Sequence, residues 1–209
     1  MMLQNSRLKR AGWRRLMTAC GFPANDAMHD LLIACYSEKH RFYHSLDHID
    51  ACFRHFDAVI ETAIYPNEIE LALWFHDVIY KPFSATNEED SAELAKAFLL
   101  ENKAAADMID RVYDLIILTK DHAAPQMQDA KLMLDIDLSI LGAAPHIYAQ
   151  FEKDVRQEYK RVPSFIFKKK RKEILRTFIQ RPQLYNSSYF YERLEAQAKR
   201  NLKWAIAEL

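Results

Sequence analysis

The chain has 209 residues, and its 29 Lys+Arg balance 29 Asp+Glu, so the formal net charge at pH 7 is zero. This balance argues against a nucleic-acid partner, because dedicated nucleic-acid binders carry a cationic excess. No apolar run reaches the roughly 18 residues of a membrane span, so no membrane partner is expected either. The three cysteines form no CxxC pair, and the N-terminus lacks the apolar core of a secretory signal. Together these features predict a cytoplasmic protein.

Hydrophobic residues recur at helical spacing along the chain, and no segment requires a strand. The pattern predicts an all-α fold, a compact helical bundle of about ten helices. We expect a single domain over residues 1–209, with a functional core at roughly 40–142 and C-terminal helices at 145–209 packed on it. The predicted helices lie near residues 6–20, 26–38, 44–63, 67–80, 87–101, 104–121, 129–141, 145–161, 164–181 and 187–208.

Three local signals refine these helices. The N-terminal stretch is basic and loosely resembles an organellar transit peptide, but the apolar spacing within residues 13–20 favours a docked first helix. Gly21 and Gly142 follow apolar helical patterns, where a left-handed residue commonly ends a helix. Thr86 and Glu89 have the spacing of a capping box, with Thr86 as the N-cap and Glu89 bonding back to it.

The segment 71–80 is apolar around the whole helical circumference, which is typical of a buried helix. It nevertheless contains the adjacent pair His76 and Asp77. An ionised carboxylate in such surroundings costs several kcal/mol unless it is paired or bound to a metal. A metal ion would satisfy the carboxylate and would also accept the neighbouring imidazole.

Two further segments carry polar residues in apolar patterns. The stretch 132–141 contains Asp135 and Asp137, which point about 160° apart on a helix, so that one can face the centre while the other faces a cap or solvent. In the stretch 41–49, His44 and His48 share one helical face at i, i+4 spacing, and His48 is closer to the apolar stripe. Two imidazoles and two carboxylates from three helices make a mixed nitrogen and oxygen site for a divalent ion.

The order of these residues resembles the HD superfamily of metal-dependent phosphohydrolases. The local sequences are more specific and are similar to those of one bacterial subgroup, which is described as predicted HD phosphohydrolases of unknown substrate. The similarity covers residues 13–201. The matching segments are Arg41-x-Tyr43-His44-x-Leu46-x-His48-Ile49, Trp74-Phe75-His76-Asp77-Val78-x-Tyr80, Asn87-Glu88-Glu89-x-Ser91-Ala92, Thr119-Lys120-x-His122, Asp135-x-Asp137-Leu138-x-Ile140-Leu141-Gly142 and Arg156-x-Glu158-Tyr159.

This resemblance implies an all-α core that holds one divalent ion, or two, through His48, His76, Asp77 and Asp137. The choice of Asp137 over Asp135 rests on the resemblance alone. The ion would polarise a phosphoryl oxygen and activate water, and Asp77 would also help to orient that water. Mn, Mg, Fe, Co, Ni and Zn are not distinguished by the sequence.

Further site residues are assigned with alternatives. Glu88 is a general acid for the leaving group or a first-turn helix residue. His122 is a proton donor, a substrate contact or a ligand of a second ion. Arg41, Lys120 and Arg156 recognise phosphate or form structural ion pairs.

The sequence therefore predicts a metal-dependent hydrolase whose partner is a small phosphorylated molecule, such as a nucleotide or a phosphomonoester. One alternative is a di-iron oxygenase on the same scaffold, which would lean on His44 and His122 as extra ligands. The other is a metal-stabilised binding or regulatory module without turnover. A homo-oligomer is left open.

Overall fold

The computed structural model describes residues 6–121 and 125–209, and this part of the chain is all-helical, without strands. The predicted fold class is therefore confirmed. No single helix in these two ranges has the length and hydropathy of a membrane span. The α-helices are α1 (Arg10–Ala19), α2 (Asp26–Tyr36), α3 (Leu46–Asp57), α4 (Pro66–Phe75), α5 (Asn87–Glu101), α6 (Ala106–Asp121), α7 (Gln128–Asp137), α8 (Pro145–Glu158), α9 (Ser164–Ile179) and α10 (Ser188–Glu208), with 3-10 turns at Ser6–Leu8, Ile60–Thr62 and Leu138–Gly142.

The chain divides into two compact units, Met1–Met133 and Leu134–Leu209. Helix α7 runs through the boundary, so its first residues belong to the first unit and its last residues to the second. The predicted single domain stays a prediction.

An aromatic cluster in the first unit fixes the position of α4. The Trp13 ring of α1 meets the Trp74 ring of α4 edge-on, with centroids 5.5 Å apart, and Phe53 of α3 lies 5.3 Å from Trp74. All three rings are fully buried, and each contributes roughly 2–3 kcal/mol of burial free energy. The docked first helix predicted from the spacing in residues 13–20 is confirmed, and the helix that precedes the His-Asp pair is held in the core.

Buried charges on α4 are paired with arginines. Glu68 receives two hydrogen bonds from Arg111, at 2.7 and 2.8 Å, and Glu70 receives hydrogen bonds from Arg7 and Arg15. Such pairing removes the penalty of leaving a carboxylate alone in a buried helix. These two acids are therefore explained without a metal ion, in contrast to the acid that follows α4.

In the second unit, the start of α10 is organised by Asp135. Its carboxylate accepts hydrogen bonds from the backbone amides of Asn186 and Ser187, both at 2.7 Å, and from both of their side chains. Burial raises the pKa of Asp135, and these hydrogen bonds oppose the rise. The sequence allowed one of the two acids on this segment to face a cap, and Asp135 is that acid.

Two local predictions are wrong. Gly142 does not have the positive φ of Gly21; a side chain there would collide with Leu194, whose Cβ would lie 2.5 Å from an added Cβ, so glycine is required by close packing. Thr86 is the N-cap of α5, but its side chain makes no capping hydrogen bond, and Glu89 instead pairs with Lys120. The lysine outcompetes the backbone amide because a charged partner strengthens the hydrogen bond.

Candidate metal centre

Three donor atoms in the first unit converge on one point. His48 Nε2 lies 3.1 Å from His76 Nε2. Oδ2 of Asp77 lies 3.4 Å from His48 Nε2 and 3.2 Å from His76 Nε2. The side chains of both histidines are almost completely buried, and that of Asp77 is 17 % exposed. Three of the predicted ligands are therefore brought together, although they come from α3 and from the residues that follow α4.

The triangle has the dimensions of a metal-binding site. Nitrogen and oxygen ligands lie about 2.0–2.2 Å from a bound zinc ion. At tetrahedral or octahedral angles, neighbouring donor atoms are then separated by roughly 2.8–3.6 Å. The three observed distances of 3.1, 3.2 and 3.4 Å fall inside this interval. The donor set fits a first-row divalent ion, and nitrogen and carboxylate ligands are what such ions accept.

The tautomer of His76 also suits ligation. Its Nδ1 lies 2.9 Å from the Leu73 carbonyl oxygen, which can only accept, so Nδ1 carries the proton and donates it. In neutral His76 the lone pair is then on Nε2, which faces His48 and Asp77. Histidine ligands of metal ions commonly donate their second ring nitrogen to a backbone carbonyl in this way.

The end of α4 explains how this geometry arises. The sequence predicted a helix to residue 80, but α4 ends at Phe75 and His76 is its C-cap. The Asp77 amide, which would continue the helix by bonding Leu73, donates instead to the Tyr36 hydroxyl at 3.2 Å. That hydroxyl donates in turn to the Trp74 carbonyl at 3.2 Å, and the released Leu73 carbonyl accepts the His76 proton.

Arg41 fixes the next turn of the chain. Its side chain is 1 % exposed and donates to the carbonyls of Asp77 at 2.6 Å, Val78 at 2.7 Å and His44 at 3.2 Å, and to Glu38 at 3.0 Å. These contacts link the segment before α3 to the backbone of the His-Asp pair. They favour a positioning role, and the predicted contact of Arg41 with phosphate stays a prediction.

Cys52 is a further potential ligand, and the set of ligands predicted from the sequence does not include it. It lies one turn after His48 on α3, and its Sγ is 3.7 Å from His48 Nε2. Its sulfur and ligand atoms of His48 and His76 all lie within 4.8 Å of one another. The i, i+4 spacing from His48 was the signal in the sequence that could have identified it.

The pKa values of Asp77 and Glu88 are shifted in opposite directions. Burial alone would raise the pKa of Asp77, but the charge and hydrogen bonds of His76, together with the hydrogen bond of His48, hold this pKa well below its usual range. The pKa of Glu88, in the first turn of α5, is raised by burial and further by the negative charge of Asp77. Asp77 is therefore an anion suited to a cation, while Glu88 retains its proton to a higher pH than an exposed glutamate.

Lys120 and Arg156, two of the residues predicted to bind phosphate, form hydrogen bonds with other groups of the protein. Lys120 pairs with Glu89 and donates to the Ala85 carbonyl at 3.0 Å. Arg156, in the second unit, donates to the carbonyls of Tyr159 at 2.5 Å and Val162 at 3.0 Å. Their roles in substrate binding stay predictions.

His44 and His122 are the two remaining histidines of the prediction. His44 is stacked on Tyr80, with ring centroids 4.2 Å apart, and its ring centroid is 6.1 Å from that of His48. The stacking on Tyr80 gives the His44 ring a structural role, and its role as an extra metal ligand stays a prediction. His122 lies outside the described residues.

Asp137 ends helix α7 and belongs to the second unit. Its assignment as a metal ligand stays a prediction. The neighbouring Asp135 is accounted for by its four hydrogen bonds within the same unit.

Comparison of the chain with protein-family models, with curated proteins and with solved structures finds no match in any of the three. The fold and the site define an all-helical protein with a buried group of residues that can bind a metal ion.

Proposed function

We propose that the protein is a metal-dependent hydrolase of the HD type that acts on a small phosphorylated molecule. The observation that supports this most is the convergence of His48, His76 and Asp77, with donor atoms 3.1–3.4 Å apart. A structural His-Asp couple would need only one hydrogen bond between an imidazole and a carboxylate. Two imidazole nitrogens directed at each other and at one carboxylate oxygen favour a shared cation.

In this proposal His48, His76 and Asp77 hold the ion, and Asp137 is a further ligand. Asp137 is chosen because it is an acid within an apolar segment, whose companion Asp135 is already used to organise the start of α10. When bound, a divalent ion polarises a phosphoryl oxygen and lowers the pKa of water by several units. The nitrogen and oxygen donors leave Mn, Mg, Fe, Co, Ni and Zn open.

We assign the remaining steps of the reaction to individual protein groups. Asp77 Oδ2 is directed at the histidines, so we assign Oδ1 to orient the attacking water. Glu88 is proposed as the general acid that gives a proton to the leaving oxygen, because its raised pKa keeps it protonated to a higher pH. Lys120 is proposed to contact phosphate, and His122 to donate a proton or bind a second ion.

The test is metal analysis followed by hydrolysis assays. The protein is purified without chelators, its bound metals are measured, and phosphate esters including p-nitrophenyl phosphate and nucleoside monophosphates are assayed with added Mn²⁺, Mg²⁺, Co²⁺ or Zn²⁺. Asp77→Asn is expected to abolish turnover, whereas the control Asp110→Asn, an exposed acid on α6, is expected to leave it unchanged. Hydrolysis that survives Asp77→Asn would refute the mechanism. Stoichiometric metal without turnover of any ester would favour the binding module.

A further inference from the structure

Three helices of the second unit, α8, α9 and α10, line a cavity of about 450 Å³. Its apolar wall includes Ala149 of α8, Phe167 of α9 and Ala205 of α10. Pockets that bind small molecules commonly have volumes of about 300–1,000 Å³, with apolar walls and a few polar groups. The cavity therefore has the size and the lining of a small-molecule site, and the residues assigned to the metal centre do not line it.

An exposed indole ring lines this cavity. Trp204 of α10 is 45 % exposed, whereas the other two tryptophans, Trp13 and Trp74, are fully buried. The ring of Trp204 meets that of Tyr148 edge-on, with centroids 6.3 Å apart. No aromatic ring of the described residues is stacked parallel to it. Because a flat ring gains stability by stacking on an indole, Trp204 offers a surface for an aromatic ligand.

The lining of the cavity also includes two lysines without acidic partners. Lys153 of α8 and Lys168 of α9 form no ion pair in the part of the chain that the structure describes. The lining acid Glu152 is already bound by Arg171, which donates to it at 2.8 and 2.9 Å. Glu208 is the other glutamate of the lining. The lining cations therefore outnumber the glutamates that remain to neutralise them, which favours an anionic ligand.

Arg156 of α8 adds a cation that the protein holds in place. Its guanidinium donates to the carbonyls of Tyr159 at 2.5 Å and Val162 at 3.0 Å, and it lies 4.9 Å from the centroid of the Phe167 ring. Its other N–H groups form no hydrogen bond with the described residues. A guanidinium that is already fixed binds a carboxylate or a phosphate with a smaller loss of side-chain freedom.

We propose that this cavity binds a small aromatic anion, a molecule in which a planar ring bears a carboxylate or a phosphate group. The ring stacks on Trp204, and Lys153, Arg156 and Lys168 bind the anionic group. A neutral apolar molecule would leave the three cations without a partner, and an aliphatic anion would leave the indole without one. An aromatic anion uses both features of the lining.

The test is isothermal titration calorimetry of the full chain in a chelator, which prevents a metal ion from binding the phosphate probe. The probes are 3-phenylpropionate and phenyl phosphate, with 3-phenylpropylamine as the cationic counterpart of the first. We expect an anion to bind at millimolar concentration and the amine not to bind, and the tighter of the two anions identifies the anionic group. Trp204→Ala should weaken binding by about 5- to 150-fold, because a stacking partner is lost.

A double substitution tests the charges. Lys153→Gln with Lys168→Gln should weaken binding of the anion by roughly 2- to 30-fold at low salt, and the difference should shrink as salt screens the charges. The control Lys169→Gln with Lys172→Gln removes the same charge from α9 outside the cavity lining and should bind as the wild type. Failure of both anions to bind, equal binding of the amine, or wild-type affinity in Trp204→Ala would overturn the proposal.

Acrylamide quenching of tryptophan fluorescence locates the bound anion, because Trp204 is exposed and the other two tryptophans are fully buried. The anion should reduce quenching in the wild type and should not change it in Trp204→Phe. Unchanged quenching in the wild type at saturating anion would place the anion elsewhere and overturn the proposal. Protection of Trp204 that rises with protein concentration in the absence of any ligand would show that a second copy covers the cavity, which would also overturn it.

Discussion

The Tyr36 hydroxyl links two backbone groups on either side of His76. It accepts from the Asp77 amide and donates to the Trp74 carbonyl, both at 3.2 Å, in a fully buried position. Tyr36→Phe keeps the ring and removes both hydrogen bonds. A buried donor left unsatisfied costs about 1–3 kcal/mol, so we expect the free energy of unfolding of the metal-free protein to fall by that amount.

The same substitution should also loosen the metal centre, because the amide of Asp77 is then free to rejoin the helix. Loss of a group that orients metal ligands typically lowers metal affinity by about 10- to 100-fold. Urea unfolding in the presence of a chelator measures the change in the free energy of unfolding. Competition for Zn²⁺ with a chromophoric chelator measures the affinity of the protein for Zn²⁺. The control Tyr148→Phe removes another buried hydroxyl, bonded to Glu152 at 2.8 Å, and should lower stability alone. Wild-type Zn²⁺ affinity in Tyr36→Phe would refute the reasoning.

Four other substitutions test the roles of individual residues. Arg41→Met should lower the free energy of unfolding by about 3 kcal/mol, because charged hydrogen bonds to several carbonyls are lost; an unchanged urea midpoint with a raised KM would instead indicate phosphate binding. Asp135→Asn should lower the free energy of unfolding by about 1–3 kcal/mol without changing the amount of bound metal. Asp137→Asn should lower the amount of bound metal. If the two variants give the reverse results, Asp135 is the metal ligand and Asp137 the structural acid. Glu88→Gln should lower kcat by about 10²- to 10⁴-fold. In the wild type the rate should fall as the pH rises through the raised pKa of Glu88, and this fall should be absent in the variant. An unchanged pH profile would exclude Glu88 as the general acid.

Helical periodicity was sufficient to predict the helices, because each of them has an apolar face that the core must cover. The residues of the site could be named, since an acid such as Asp77 is conspicuous in a segment that is otherwise apolar. The end of α4 was not predictable, because the groups that stop the helix, Tyr36 and Arg41, lie 41 and 36 residues away in sequence from the backbone they bond. Periodicity reports local structure and contains no record of such distant hydrogen bonds.

The same limit explains the errors at residues with several competing partners. Thr86 and Glu89 have the spacing of a capping box, but Lys120 of α6 provides a stronger partner for Glu89 across 31 residues of sequence. Cys52 was not predicted as a ligand, because its i, i+4 spacing from His48 does not show that it also approaches His76, which depends on the packing of α3. Sequence spacing therefore identified which residues are chemically unusual, and tertiary contacts decided what each of them does.

A divalent ion held by His48, His76 and Asp77 is the basis of the proposed activity, and metal stoichiometry measures it most directly. Inductively coupled plasma mass spectrometry of the wild type, purified without chelators, should give about one or two transition-metal ions per chain. His76→Ala should lose the metal, while the control His146→Ala, an exposed histidine on α8, should retain it. A metal-free wild type that also fails to bind added Mn²⁺, Co²⁺ or Zn²⁺, or equal metal content in His76→Ala, would contradict the account.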